Sequence, residues 1–206
     1  MNDAEMYARY NQEANKALMR ILDGLSNDER EMDRGSYFGS LSELARHGMS
    51  GTCFLLGILK EALAENAAAA EALAGLPAWP EKGPLDEAGW KKLGRDLAAA
   101  DAAYVGMARA LGDGDLRLPI KIDWNGGNPR RKRRPESAAP ESVPLSFMLG
   151  QLTVHGAHHR GQISQILDEM KIEHDFSGMG IALKSPAGAT PCRSMKASAR
   201  SRLSLG

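Results

Sequence analysis

An all-α four-helix bundle is the fold this sequence predicts, and three observations carry it. Four long segments repeat apolar residues every three or four positions. Glycine, proline and short polar caps punctuate the chain between them. Before the last segment, a stretch of period two and a basic loop leave room for a long crossover.

The first helix is expected from Asp3 to Gly24, with Tyr7, Tyr10, Leu18, Ile21 and Leu22 as its apolar positions and Gly24 as its stop. "SNDE", Ser26 to Glu29, has the spacing of a capping box and predicts a short helical turn. A second helix begins near Ser36 or Ser40, with Leu41, Leu44, Leu55, Ile58, Leu59 and Ala62 as its stripe. "EALAENAAAAEALAG" either prolongs it or forms a helix of its own, since alanine favours helix without choosing a face. Gly75, Pro77, Pro80, Gly83 and Pro84 then enforce a loop. The third helix is expected from Asp86 to Leu111, with Trp90, Leu93, Leu97, Tyr104, Met107 and Leu111 facing inward. "LRLPIKIDW", Leu116 to Trp124, alternates like a short strand, and Pro119 confines that strand to an edge. A turn and the basic run Arg130–Arg134 follow, and the fourth helix runs from Pro144 or Leu145 to Met170. This organisation predicts one helical domain over residues 1–183. Residues 184–206 are small and basic, with too little apolar surface to offset their ordering entropy, and are expected to be a disordered tail.

Composition excludes several function classes. Lys plus Arg and Asp plus Glu number 26 each, so no global field draws the chain to nucleic acid or acidic lipid. The start, "MNDAEMYARYNQEANK", lacks the apolar core of a signal peptide, and no apolar run approaches the ~20 residues that span a bilayer. Cys53 and Cys192 make neither a disulfide framework nor a zinc knuckle. A cytoplasmic protein with no membrane partner is the expectation.

Chemistry concentrates in "TVHGAHHRGQ", residues 153–162, where three histidines fall within five positions of the fourth helix. Residues four apart on a helix sit ~40° apart on one face. Leu145, Met148, Leu149, Leu152, Ile163, Ile166, Leu167 and Met170 define the apolar stripe, which contains His159 and has His155 at its margin. His158 lies roughly 130° from the stripe centre and faces solvent or another subunit. His155 and His159 therefore form either a two-nitrogen clamp for a divalent metal or a pair of hydrogen-bonded core histidines. His47 lies at the edge of the second helix's stripe among Gly48, Ser50 and Gly51. It is either a third ligand, if helices two and four pack together, or a histidine bonded to a carbonyl. His174 reads as plain surface. Cys53 reads as a buried, inert thiol. Arg160 reads as a surface salt-bridge partner and Gln162 as a surface amide, with a role in orienting a ligand as the alternative for both.

Three motifs in order resemble the DinB superfamily, the DinB/YfiT-like metalloenzymes. "YARYNQEANKALM" resembles the opening of that family's first helix, and "GSYFGSLSELARH", Gly35 to His47, resembles its Gly-Ser-x-Phe-x-Ser…Leu…His signature. "HGAHHRGQISQIL", His155 to Leu167, resembles its His-x-x-x-His-Arg-Gly-Gln signature, and "DFSGMGIAL" resembles its end. The resemblance spans roughly residues 4–183. It implies a bundle in up-up-down-down order, a metal site made by His47, His155 and His159, nickel or zinc as the ion, and a homodimer. Some relatives are transferases or isomerases that use bacillithiol, mycothiol or glutathione. Where many members carry Asp, four residues after the first histidine, this chain has Gly51.

Three imidazoles leave coordination positions for water or substrate, the pattern of a catalytic rather than a structural site. A metal-dependent transferase or hydrolase, with a small thiol or water as nucleophile, is the first expectation. The alternative is a non-catalytic binding module in which metal staples the helices and Arg130–Arg134 contact phosphates; the family name refers to DNA-damage induction. Without aromatic residues interleaved for base stacking, that run reads instead as a solvated loop tip, which argues against nucleic acid.

Overall fold

Side-chain caps fix where the helices begin. The computed structural model describes residues 1–122 and 141–183. The basic run Arg130–Arg134, Cys192 and the tail at 184–206 lie outside the described residues. Helix α1 (Asp3–Leu22) starts on Asn2, whose side chain accepts from the Glu5 amide at 2.7 Å. Ser26 and Glu29 close the expected capping box over α2 (Asn27–Glu31). Ser40 caps α3 (Leu41–Ala62), and Asp86 caps α5 (Glu87–Ala110). Asn66 accepts from the Ala69 amide and so starts α4 (Ala67–Ala74) as a separate helix, which resolves the alanine-rich segment that composition left open. α6 (Leu145–Glu169) begins directly after Pro144, within a residue of its expected bounds.

The expected strand begins later than its alternation implied, and residues 123 and 124 of it lie outside the described residues. Asp115–Arg117 form a 3-10 turn, and β1 is Pro119–Ile122. It pairs antiparallel with β2 (Glu141–Pro144), and the register sets Pro119 opposite Pro144. Neither proline has an N–H to donate, so both sit at the end of the ladder where least is lost. The backbone then turns straight into α6, with the Leu145 amide donating to the Leu118 carbonyl at 2.9 Å.

The described part of the chain is mostly helical. α1 lies against α5 and α6, α3 against α6 and α5, and α4 covers α5. Two large apolar cores result among the described residues, beside a small cluster of Tyr10, Ala14 and Ala182. One gathers Leu55, Leu59, Tyr104, Met107, Leu149 and Leu152. The other gathers Leu18, Leu22, Leu44, Trp90, Leu97 and Ile163. Each fully buried leucine among them contributes about 1.5–3 kcal/mol. Tyr7, one of the apolar positions expected of the first helix, is 42% exposed, while Asn11 and Asn15 are buried. No described helix is long and apolar enough to cross a membrane.

The boundary between the two cores is polar. On α6 it is the stretch from His155 to Arg160, between Leu152 and Ile163. On α1 it is Asn11 and Asn15, and on α5 it is Asp101. The candidate site lies at this level.

Candidate metal centre

Helix α3 brings His47, and α6 brings His155 and His159, to one point. Among the described residues these three form the one cluster of metal-ligating side chains, with one ligand atom from each lying within 4.8 Å of the others. The Nε2 atoms of His155 and His159 are 3.1 Å apart. Zinc–nitrogen bonds of about 2.0–2.1 Å make the edge of a tetrahedral site roughly 3.3 Å and of an octahedral one roughly 3.0 Å. The α6 pair therefore already has the spacing of two ligands on one cation. The His47 nitrogen lies within 4.8 Å of both, a gap that a side-chain rotation can close.

Each ring is held by something specific. Gln162, one turn on from His159, places Oε1 2.7 Å from His159 Nδ1. The amide oxygen accepts, so Nδ1 carries the proton and Nε2 presents its lone pair to the cluster. This is the outer hydrogen bond that metal-binding histidines usually make. Phe38, from the turn before α3, lies over His47 with ring centroids 4.3 Å apart and meets His159 edge-on at 5.5 Å. Gly35 and Gly39, with φ of +66° and +78°, shape that turn in a conformation that costs other residues more.

His155 depends on Gly51. A Cβ at position 51 would stand 2.6 Å from His155 Nε2 and 2.8 Å from its Nδ1, so the imidazole fills the space a side chain would take. His155 reaches the cluster by lying across the bare backbone of α3.

Burial keeps the rings uncharged. Desolvation first, and then repulsion from the neighbouring imidazoles, pushes His155 down to about 4. Desolvation likewise pushes His159 down to about 4, against the opposing pull of the Gln162 hydrogen bond. His47 is lowered as well, by desolvation and partly offset by Glu43. Three neutral nitrogen donors are what a divalent cation requires. His159 is buried, whereas His47 and His155 are half-buried, which gives the cluster one open side.

Comparison with family models, with curated proteins and with solved structures found no match. The site's chemistry is therefore argued from its own residues.

His158 is exposed, as its place on the helix predicts, although its ring stands 4.9 Å from that of His159. His174 departs from the surface reading. It is half-buried, stacked on Phe176, and hydrogen-bonded to Ser164 and to the Ile172 carbonyl, and it is not part of the triad. Cys53 is 1% exposed, and burial pushes its thiol up to about 11, which makes it inert.

Arg160 and Gln162 both depart from the surface reading. Gln162 is the partner of His159 described above. Arg160 is 3% exposed and pairs directly with no acid among the described residues. Its Nη1 donates to Asn11 Oδ1 at 2.7 Å and to Asn15 Oδ1 at 2.8 Å. Asn15 donates onward to both carboxylate oxygens of Asp101, at 3.1 and 3.0 Å. The missed signal was on the first helix, where two carboxamides four residues apart occupy the inward face and require a buried partner. A cavity of about 30 Å³ lies among Asn15, Gly48, Thr52, His159 and Arg160. That is room for water-sized occupants only.

Proposed function

We propose that this chain is a divalent-metal protein of the DinB type, with nickel or zinc held by His47, His155 and His159. In this reading the four long helices form a bundle in up-up-down-down order, and the active form is a homodimer. What supports the metal assignment is the convergence of three imidazoles from two helices, two of them already 3.1 Å apart, with Gln162 fixing the tautomer of one. Gly51 fits the same reading. Where many relatives of the resembled family carry Asp, this chain has Gly51, and the ring of His155 fills the space a side chain would take.

The reaction class proposed is transfer to, or hydrolysis by, a nucleophile bound at the open side of the cluster: a low-molecular-weight thiol or water. A divalent ion with imidazole ligands supplies Lewis acidity, which brings the pKa of such a nucleophile towards neutrality. The chain's own residues do the rest. His159, held by Gln162, keeps its donor lone pair aimed inward. Both rings are neutral, so the proton that His155 Nε2 shares with His159 Nε2 would move to His155 Nδ1 for both lone pairs to face one cation, a change of tautomer with no net release of acid. Phe38 covers one face of His47 and excludes water from it.

The test is metal analysis of untagged protein beside His47→Ala and His159→Ala. One nickel or zinc per chain in the native protein, falling well below half in each variant, is expected. Equal metal content in all three would remove the triad as the site.

A further inference from the structure

The buried layer of Asn11, Asn15, Asp101 and Arg160 is poorly explained by stability. Arg160 leaves Nε and Nη2, and Asn11 leaves Nδ2, buried without a partner among the described residues. Buried ionic and polar groups with incomplete partners are weak contributors to folding, and apolar replacements of similar volume often match or exceed them. Apolar cores flank the layer on both sides, so hydrophobic residues at these positions would simply join the two. Such a layer differs from leucine in being directional. A leucine stripe tolerates a small rotation or slide of one helix against the next, whereas a guanidinium aimed at two amides does not.

Its position decides what that direction serves. Arg160 follows the ligand His159 on α6, and its guanidinium reaches two successive turns of α1 at 2.7 and 2.8 Å. Through Asn15 the contact continues to Asp101 on α5, so three helices are tied at the height of the histidines. Gly156, next to His155, clears the way. A Cβ there would stand 2.5 Å from Asn11 Oδ1 and 3.0 Å from Arg160 Nη1. The Tyr10 ring packs against the guanidinium, 5.1 Å from ring centroid to Cζ.

We infer that Arg160 is a positioning residue for the metal site: bonded to Asn11 and Asn15, and through Asn15 to Asp101, it fixes the height and rotation of α6 that point His155 and His159 at His47. This rests on the reading of the triad as a metal centre. The layer is a registry device, and its product is the nitrogen geometry of the site.

The experiment compares wild type with the apolar triple variant Asn15→Leu, Asp101→Leu, Arg160→Met. Zinc affinity is measured by competition with a chromophoric chelator, the visible spectrum of the cobalt(II) form reports ligand geometry, and urea unfolding reports stability. Expected is a triple variant as resistant to urea as wild type or more so, with zinc affinity at least ten-fold lower and an altered cobalt spectrum. Wild-type affinity within two-fold, with an unchanged spectrum, would overturn the inference while leaving the metal reading intact. Failure of wild type itself to bind zinc or cobalt would instead overturn the metal reading and this inference with it. Should the triple variant not fold, Arg160→Lys decides. It keeps a buried cation but loses the fork to both amides, so weakened zinc binding supports the role and unchanged binding overturns it.

Discussion

Replacing Gly51 by alanine separates the fold from the site, because the two respond with opposite sign. Position 51 lies inside α3, where glycine is worse than alanine by roughly 0.8–1 kcal/mol. Against this gain, the new Cβ would stand 2.6 Å from His155 Nε2, well inside contact distance, so the imidazole must rotate away. A ring driven from its preferred rotamer costs about 0.5–1.5 kcal/mol. The two nearly cancel, and metal-free Gly51→Ala should unfold within about 1 kcal/mol of wild type, or about 2–4 °C in Tm. Metal binding loses one of three ligands. Removing a mere outer hydrogen bond already costs 10–100-fold in affinity, so a loss of at least ~100-fold is expected here. At a metal concentration well above the wild-type Kd, that loss removes about 2.7 kcal/mol of ligand stabilisation, or roughly 5–11 °C of the metal-induced rise in Tm. Scanning calorimetry with and without added nickel or zinc measures both quantities on one sample. A variant that keeps the full metal-induced rise would refute the placement of His155. A metal-free variant destabilised by more than about 3 kcal/mol would show that the ring cannot move, and that Gly51 serves packing alone.

Gln162→Leu removes the acceptor at His159 Nδ1 and should weaken zinc binding about 10–100-fold, read by chelator competition, with little change in metal-free stability. Stability of the metal-free protein should depend on pH through opposed groups. His155 and His159 are lowered from 6.5 to about 4, so the unfolded chain takes up their protons first and stability falls as pH drops from about 6.5 to 4. Asp101 is raised by burial to about 7, against the pull of Asn15 and Arg160, so its contribution is present at low pH and falls as pH rises from about 4 to 7. Asp101→Asn removes the opposing slope, and urea unfolding across that range should then show stability climbing with pH more steeply than in wild type, by up to about 1.4 kcal/mol per pH unit. In a Cys192→Ser background, Cys53 should ignore a thiol reagent at pH 8 until the protein is unfolded; fast labelling of the native state would contradict its burial.

The helices were legible because their signals are local. Ser40, Asp86 and the Ser26–Glu29 box cap helices in the structure as their chemistry demands, and the 3–4 residue apolar rhythm marks the faces that pack. The inward placement of His155 and His159 was also local, a matter of helix angle. The approach of His47 was not, since it depends on which helix lies beside α6, and periodicity alone left that open. Arg160 was misread for a related reason. A helical wheel gives the direction of a Cβ, but a long side chain with a planar head can turn inward when buried amides await it. Those amides, Asn11 and Asn15, were visible in the sequence as polar residues on an apolar face. The partners of β1 and the role of Gly51 needed coordinates, because each is defined by a residue distant in sequence.

X-ray absorption of the zinc- or nickel-loaded untagged protein counts the imidazoles on the metal directly. Three at about 2.0–2.1 Å, falling to two in His47→Ala, is the result expected from rings contributed by α3 and α6. Two imidazoles in the native protein, with His47→Ala unchanged, would contradict it.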